Sequence, residues 1–141
     1  MAETAAMRVE VVSPERVLFS GESTQVITRT LGGGEIAFLP GHAPFLAALI
    51  PNHTRVYLTD GVIVDVAVHG GFVEVSNGKV SILTDFAELG SEIDKSAARA
   101  DVERLEEQLR HTHDAIGAAE LSKAHARLAA AGGLGSAGSA H

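Results

Sequence analysis

Along residues 7–11, Met7, Val9 and Val11 alternate with Arg8 and Glu10, the period-2 pattern of a half-buried strand. Further strands are predicted at 24–30 and 35–39, separated by the turn Gly32-Gly33-Gly34. Asp60-Gly61 joins the runs 53–59 and 62–69, and Asn77-Gly78 joins 71–76 and 79–84. Both dipeptides accept positive φ at the two central positions, which a type I′ hairpin requires. Val62, Val64, Val66 and Val68 fall on one face of their strand, with Asp65 and His69 on the other. Many short strands at this spacing predict a sandwich or flattened barrel.

The period changes near residue 91. Ser91 is a suitable N-cap, which places Glu92 and Asp94 in the first helical turn, where negative charge is favoured. Ala98, Val102, Leu105 and Leu109 then recur at steps of four, three and four, one helical stripe. Glu106 and Arg110 are spaced to pair on that helix. His111-Thr112-His113-Asp114 leads into a break at Gly117, and a second stripe runs through Leu121, Ala124 and Leu128 to Gly132-Gly133. The fold class is therefore α+β. An N-terminal antiparallel β-sandwich occupies 1–90, a two-helix hairpin 91–131, and a disordered Gly/Ser/Ala tail 132–141. The second helix buries mostly Ala, so the hairpin is expected to be weakly held and able to move.

Composition narrows the function. With 45% hydrophobic and only 4% aromatic residues, the core must be built from Val, Ile, Leu and Ala. A formal net charge of −7 argues against nucleic acid and against anionic lipid, which need clustered Lys and Arg. The absence of Cys excludes disulfides and thiolate metal sites. No secretory signal pattern and no apolar run of membrane-spanning length is present, so any membrane association is expected to be peripheral.

Candidate chemistry is sparse. Of the seven histidines, His111 and His113 sit about 200° apart around a helix, and His53 and His69 lie on strands without a ligand cluster. They are read as solvated or structural. Gly32-Gly33-Gly34-Glu35 opens onto a strand with no following Lys, unlike a phosphate-binding loop. Ser13, His42 and Asp65 are the residue types of a hydrolytic triad, but no G-x-S-x-G elbow exists. No catalytic residue, cofactor or metal is expected, and a chain of this kind works through its surfaces.

Three segments carry a resemblance: 12–21, Val-Ser-Pro-Glu-Arg-Val-Leu-Phe-Ser-Gly; 34–46, with Leu39-Pro40-Gly41-His42-Ala43-Pro44; and 70–88, Gly70-Gly71-Phe72 through Asn77-Gly78 to Ala87-Glu88. In order and spacing they resemble the epsilon subunit of F-type ATP synthases. That resemblance implies a sandwich of about ten strands plus two helices, on the central stalk, binding gamma and the c-ring and coupling proton flow to ATP synthesis. It implies a non-catalytic subunit, peripheral to the cytoplasmic face of a bacterial membrane. In many such proteins the hairpin switches between a compact form and an extended form that enters the catalytic head and inhibits ATP hydrolysis. On this basis Ser13, Glu35 and His42 are candidate partner contacts, with Glu35 beside His42 on the edge facing stalk and ring. Arg99, Arg104, Arg110, Lys123 and Arg127 are candidate contacts of the extended arm with acidic surfaces of the head. Two positions depart from the family pattern. Ala37 stands where Gly is common, and Ala97 occupies the arginine position of the [IL]-D-x-x-R-A motif that accompanies ATP binding, so nucleotide is not expected to bind. The alternatives are a free-standing β-sandwich binding module and, weakest, an esterase-like hydrolase using Ser13.

Overall fold

The structure, a computed structural model, describes residues 5–112 and 114–132. His113 and residues 133–141 of the tail expected at 132–141 lie outside the described residues, whereas Gly132, expected to begin that tail, is helical. Seven strands come first: β1 (Met7–Val12), β2 (Val17–Thr30), β3 (Gly34–Phe38), β4 (Phe45–Leu58), β5 (Ile63–Ser76), β6 (Lys79–Leu83) and β7 (Ala87–Leu89). A short 3-10 turn, Gly90–Glu92, leads to the helices α1 (Lys95–His111) and α2 (Ala115–Gly132).

Three of the strands, β2, β4 and β5, are 14 residues long and bend part-way. In β5, Val66 and Val68 face the core before the bend, whereas Val73 and Val75 face it afterwards. The inward parity flips at Gly70 and Gly71, whose φ values of +104° and +112° suit glycine alone. The facing strand β4 flips at the same level, around Pro51, between buried Leu49 and buried Thr54 and Val56. Each long strand therefore serves both layers. One layer holds β1, β6 and the first half of β2 with the adjoining halves of β4 and β5. The other holds β3, β7 and the remaining halves. Counted as halves, the strands make five per layer, the ten expected of the sandwich. The ring closes because β1 pairs with both β2 and β6, and the β1–β6 pair is parallel in an otherwise antiparallel sheet.

The core between the layers is aliphatic. Val9, Val11, Val26, Val56, Val66, Val73, Val80 and Ile82 are fully enclosed, with Phe38 as the one large aromatic among them. Valine at this density suits the strands, because its branched Cβ packs well on a pleated surface. A buried polar knot interrupts it: Asn52 Oδ1 accepts from Thr28 Oγ1 at 3.1 Å and from Thr54 Oγ1 at 2.8 Å. The two hydroxyls lie 2.8 Å apart, so every member is satisfied.

Three local expectations are corrected. Asn77 and Gly78 both have positive φ, as a type I′ turn demands, but at Asp60-Gly61 only Gly61 does. There the Gly61 N–H donates to Leu58 O at 3.0 Å, and Asp60 Oδ1 accepts from Val62 N–H at 2.9 Å, so the loop is wider than two residues. The N-cap of α1 is Asp94, which accepts from Ala97 N–H at 3.1 Å, and Ser91 belongs to the 3-10 turn. Ile93 stays extended between them because its side chain is buried with Ala67, Ala98 and Ala130. The break between helices falls before Ala115, and Gly117 lies inside α2.

Candidate functional site

Helix α2 lies between the sandwich and α1, packing on β4, β5 and β7. Its buried residues are Ala124, Ala126 and Ala130, and small side chains are what let a helix approach a sheet closely on one side and a helix on the other. The approach is tightest at Gly90, where a Cβ would stand 2.2 Å from the carbonyl oxygen of Ala130. The second apolar cluster, Ala67, Ile93, Ala98 and Ala130 flanked by Leu128 and Ala131, is much smaller than the sandwich core.

Polar contacts concentrate beside this small cluster. Arg127 on α2 donates to Glu88 on β7 through Nε (2.6 Å to Oε1) and Nη2 (3.3 Å to Oε2), a two-point grip. Its Nη1 also lies 3.5 Å from Asp101 Oδ2 on α1, so one guanidinium ties both helices to the sandwich. The Glu88 bond holds the Arg127 pKa above its ordinary value. His69 on β5 lies beneath α2, and burial pushes its pKa below the ordinary value. Around α2 on its other side is a cleft of about 330 Å³ whose walls include Arg29, Glu35, Arg55, His53 and His125. In it His53 Nε2 meets Asp65 Oδ1 at 2.7 Å, while Glu35 lies 3.8 Å from Arg29 and 3.9 Å from Arg55.

Residues 6–90 match the family model described as "ATP synthase, Delta/Epsilon chain, beta-sandwich domain". A Thermobifida fusca protein named ATP synthase epsilon chain is 42% identical over 134 residues, covering 93% of this chain and 96% of that one. The chain belongs to the ATP synthase delta/epsilon family. A Brevibacillus brevis protein of the same name is 45% identical over 103 residues, or 73% of this chain and 77% of the relative. The fold is shared with a chain of the Euglena gracilis mitochondrial ATP synthase, with TM-score 0.74, 21% identity, and coverage of 89% and 81%.

Against this delta/epsilon framework the expected contact residues fall in separate places. Ser13 is buried in a turn, its Oγ 3.3 Å from both Arg16 N and Arg16 O. His42 closes the Leu39-Pro40-Gly41-His42 turn, its N–H donating to Leu39 O at 3.0 Å, with Gly41 at φ +87°. Its ring meets Phe38 and Phe45 edge-on, at centroid distances of 5.0 and 6.0 Å, and Nδ1 lies 2.7 Å from Ala43 O. Glu35 instead lines the α2 cleft. No hydrogen bond, ion pair or ring contact among the described residues links Ser13, Glu35 and His42 to one another.

The five basic residues expected on the hairpin divide similarly. Arg104 pairs with Asp101 at 3.5 Å, Lys123 with Glu120 at 3.6 Å, and Arg110 with Glu107. The expected partner of Arg110, Glu106, faces His125 across the hairpin at 3.7 Å. Arg99 is exposed and has no ion pair among the described residues. Among the described residues Arg127 alone of the five has an ion pair or hydrogen bond to the sandwich. Glu88, Asp101, His69 and Gly90 were not singled out by sequence pattern as functional positions. The Glu88–Arg127 pair spans 39 residues, and no local periodicity signals it.

No helix among the described residues is long and apolar enough to cross a membrane, and no group of three or more metal-ligating side chains is present among them.

Proposed function

We propose that this chain is the epsilon subunit of a bacterial proton-translocating ATP synthase. It is a non-catalytic rotor component that binds gamma and the c-ring at the cytoplasmic face of the membrane and couples proton flow to ATP synthesis. The observation that carries this reading is the near full-length match to a protein named ATP synthase epsilon chain, 42% identical over 93% of this chain. The sandwich, 1–90, is the gamma- and ring-binding domain, and 91–131 is a regulatory hairpin that extends into the catalytic head and slows ATP hydrolysis.

Physical features support each half of that division. A coupling element must be stiff, and a closed sheet filled by tightly packed branched side chains resists deformation. A regulatory arm must detach at modest cost, and α2 meets the sandwich mainly through alanines, one ionic grip and one glycine contact. In this reading Ser13, Glu35 and His42 contact partners from three separate patches. Arg99, Arg104, Arg110, Lys123 and Arg127 meet acidic surfaces when the arm extends, four of them after leaving the carboxylates they now face.

Mixing the purified chain with gamma is expected to give a one-to-one complex, and failure to associate would remove the rotor assignment. Deleting residues 92–141 is expected to raise ATPase activity of the assembled head. Unchanged activity would remove the inhibitory arm and leave the coupling role standing.

A further inference from the structure

One histidine beneath the hairpin has surroundings that docking alone creates. His69 lies on the outer face of β5, its ring edge-on to Phe86 at 4.8 Å and its backbone N–H donating to Phe86 O at 3.2 Å. Its Nε2 is buried and has no hydrogen-bond partner among the described residues. The facing carboxylate oxygen, Glu88 Oε1, stands 4.0 Å away, beyond hydrogen-bond reach, and both Glu88 oxygens are held by Arg127. From α2, Lys123, Arg127 and Glu120 face the same cavity of about 470 Å³, and from α1 Asp101 and Arg104 do so. From β4 the paired residue is Pro51, which carries no charge.

We propose that Glu88 is a two-way acceptor, taken by Arg127 when the hairpin is docked and by protonated His69 when it is released, so that acidification undocks the helices. Lifting α2 removes Arg127 and Lys123 and admits water to the imidazole. A small side-chain adjustment then closes the 4.0 Å gap to the freed carboxylate. Protonation and docking compete for one carboxylate.

The electrostatics agree in sign. In the docked form burial is the largest influence on His69 and disfavours its charged state, with Lys123 and Arg127 acting the same way and Glu88 and Glu120 opposing. A depressed docked value means that docking is at full strength above the ordinary histidine pKa, about 6.5, and weakens as pH falls below it. One proton can change the docked-to-released ratio by at most about tenfold per pH unit. Among the described residues the other histidine–carboxylate pairs do not bridge the interface: His53–Asp65 lies within the sandwich, and His125–Glu106 and His111–Glu107 lie within the hairpin. Where the released hairpin is the inhibitory arm, an inference that rests on the function proposed above, acid shifts the population toward the inhibited form.

The chain has no native cysteine, so spin labels at Asp60→Cys and Ala118→Cys report the hairpin-to-sandwich distance without background. Distances measured on the full chain from pH 8 to 5.5 are expected to show the docked-to-released ratio falling at least about threefold, with the change centred below pH 7. In His69→Gln, and in His69→Phe, which keeps ring packing on Phe86, the ratio is expected to stay constant. A wild-type ratio that does not move, a chain already released at pH 8, or an unchanged pH response in both variants overturns the proposal. The measurement needs neither gamma nor the head, so its failure and failure of the rotor assignment are read from different experiments.

Discussion

Arg127 reaches back 39 residues along the chain to hold Glu88 by two nitrogen–oxygen contacts, at 2.6 and 3.3 Å, and nothing else of comparable geometry joins the described helices to the sandwich. Both side chains are about three-quarters buried, with 26% and 23% exposed, so solvent screening is limited. A charge-assisted, forked pair in such a setting contributes about 1–3 kcal/mol. Arg127→Ala is expected to raise amide hydrogen exchange throughout α2 by roughly tenfold or more while leaving the strand amides protected. Arg127→Lys, which keeps the charge and loses the fork, should fall between the two.

A second test uses Gly90. Its backbone is not in the left-handed region, so alanine suits the released form, yet in the docked form the new methyl would meet Ala130 O at 2.2 Å. Gly90→Ala is expected to weaken docking by about 1–3 kcal/mol. Faster tryptic cleavage after Lys123 and Arg127, at an unchanged melting temperature of the sandwich, is the expected readout.

Gly71 and Gly70 separate backbone strain from steric collision. A Cβ at Gly71 would lie 2.1 Å from Leu83 O, at φ +112°, whereas at Gly70 it would meet only Leu49 O at 3.6 Å, at φ +104°. Gly71→Ala is expected to cost more than about 2 kcal/mol in urea denaturation, and Gly70→Ala about 1 kcal/mol. Equal losses at the two sites would show that the collision at Gly71 is relieved elsewhere.

The polar knot in the core makes a non-additive prediction. Thr54→Val strands a lone pair of Asn52 and a contact of Thr28, and should cost about 1–3 kcal/mol. Adding Thr28→Val is expected to cost less than it does alone, because the first change has already broken the network. A double-mutant cycle in urea measures the coupling.

Alkaline pH is expected to leave docking unchanged. The Arg127 pKa is raised above its ordinary value by its bond to Glu88, and a raised value means its contribution is complete below the ordinary arginine pKa and lost only as pH rises through the raised one. Hairpin exchange rates, corrected for the intrinsic pH dependence of exchange, should therefore be flat from about pH 7.5 to 9.

Sequence pattern located the strands wherever a local rule governs them. Asn77-Gly78 turned as written because both positions accept positive φ, and both adopt it. Asp60-Gly61 carries the same signal but sits in a longer loop, since loop length depends on the pairing of flanking strands. The continuity of β5 through Gly70-Gly71 was hidden, because a double glycine reads as a gap between strands as readily as a corner within one. Ser91 lost the N-cap to Asp94 once Ile93 was drawn into the hairpin cluster, a tertiary demand that no capping rule contains. The interface was less legible still. Arg127 was visible as a charge, but Glu88, His69 and Gly90 acquire their roles only when α2 folds back over β5 and β7.

The corner in β4 and β5 has a mechanical consequence. The two strands stay paired on both sides of it, Leu49 with Gly71 and Pro51 with His69, so each chain passes from one layer to the other beside its partner. Torque applied to either layer is carried across by the two covalent chains, which are continuous through the corner. The sandwich is therefore expected to behave as one stiff body. Any compliance is left to residues 89–94, where a short stretch of chain leads into the helices.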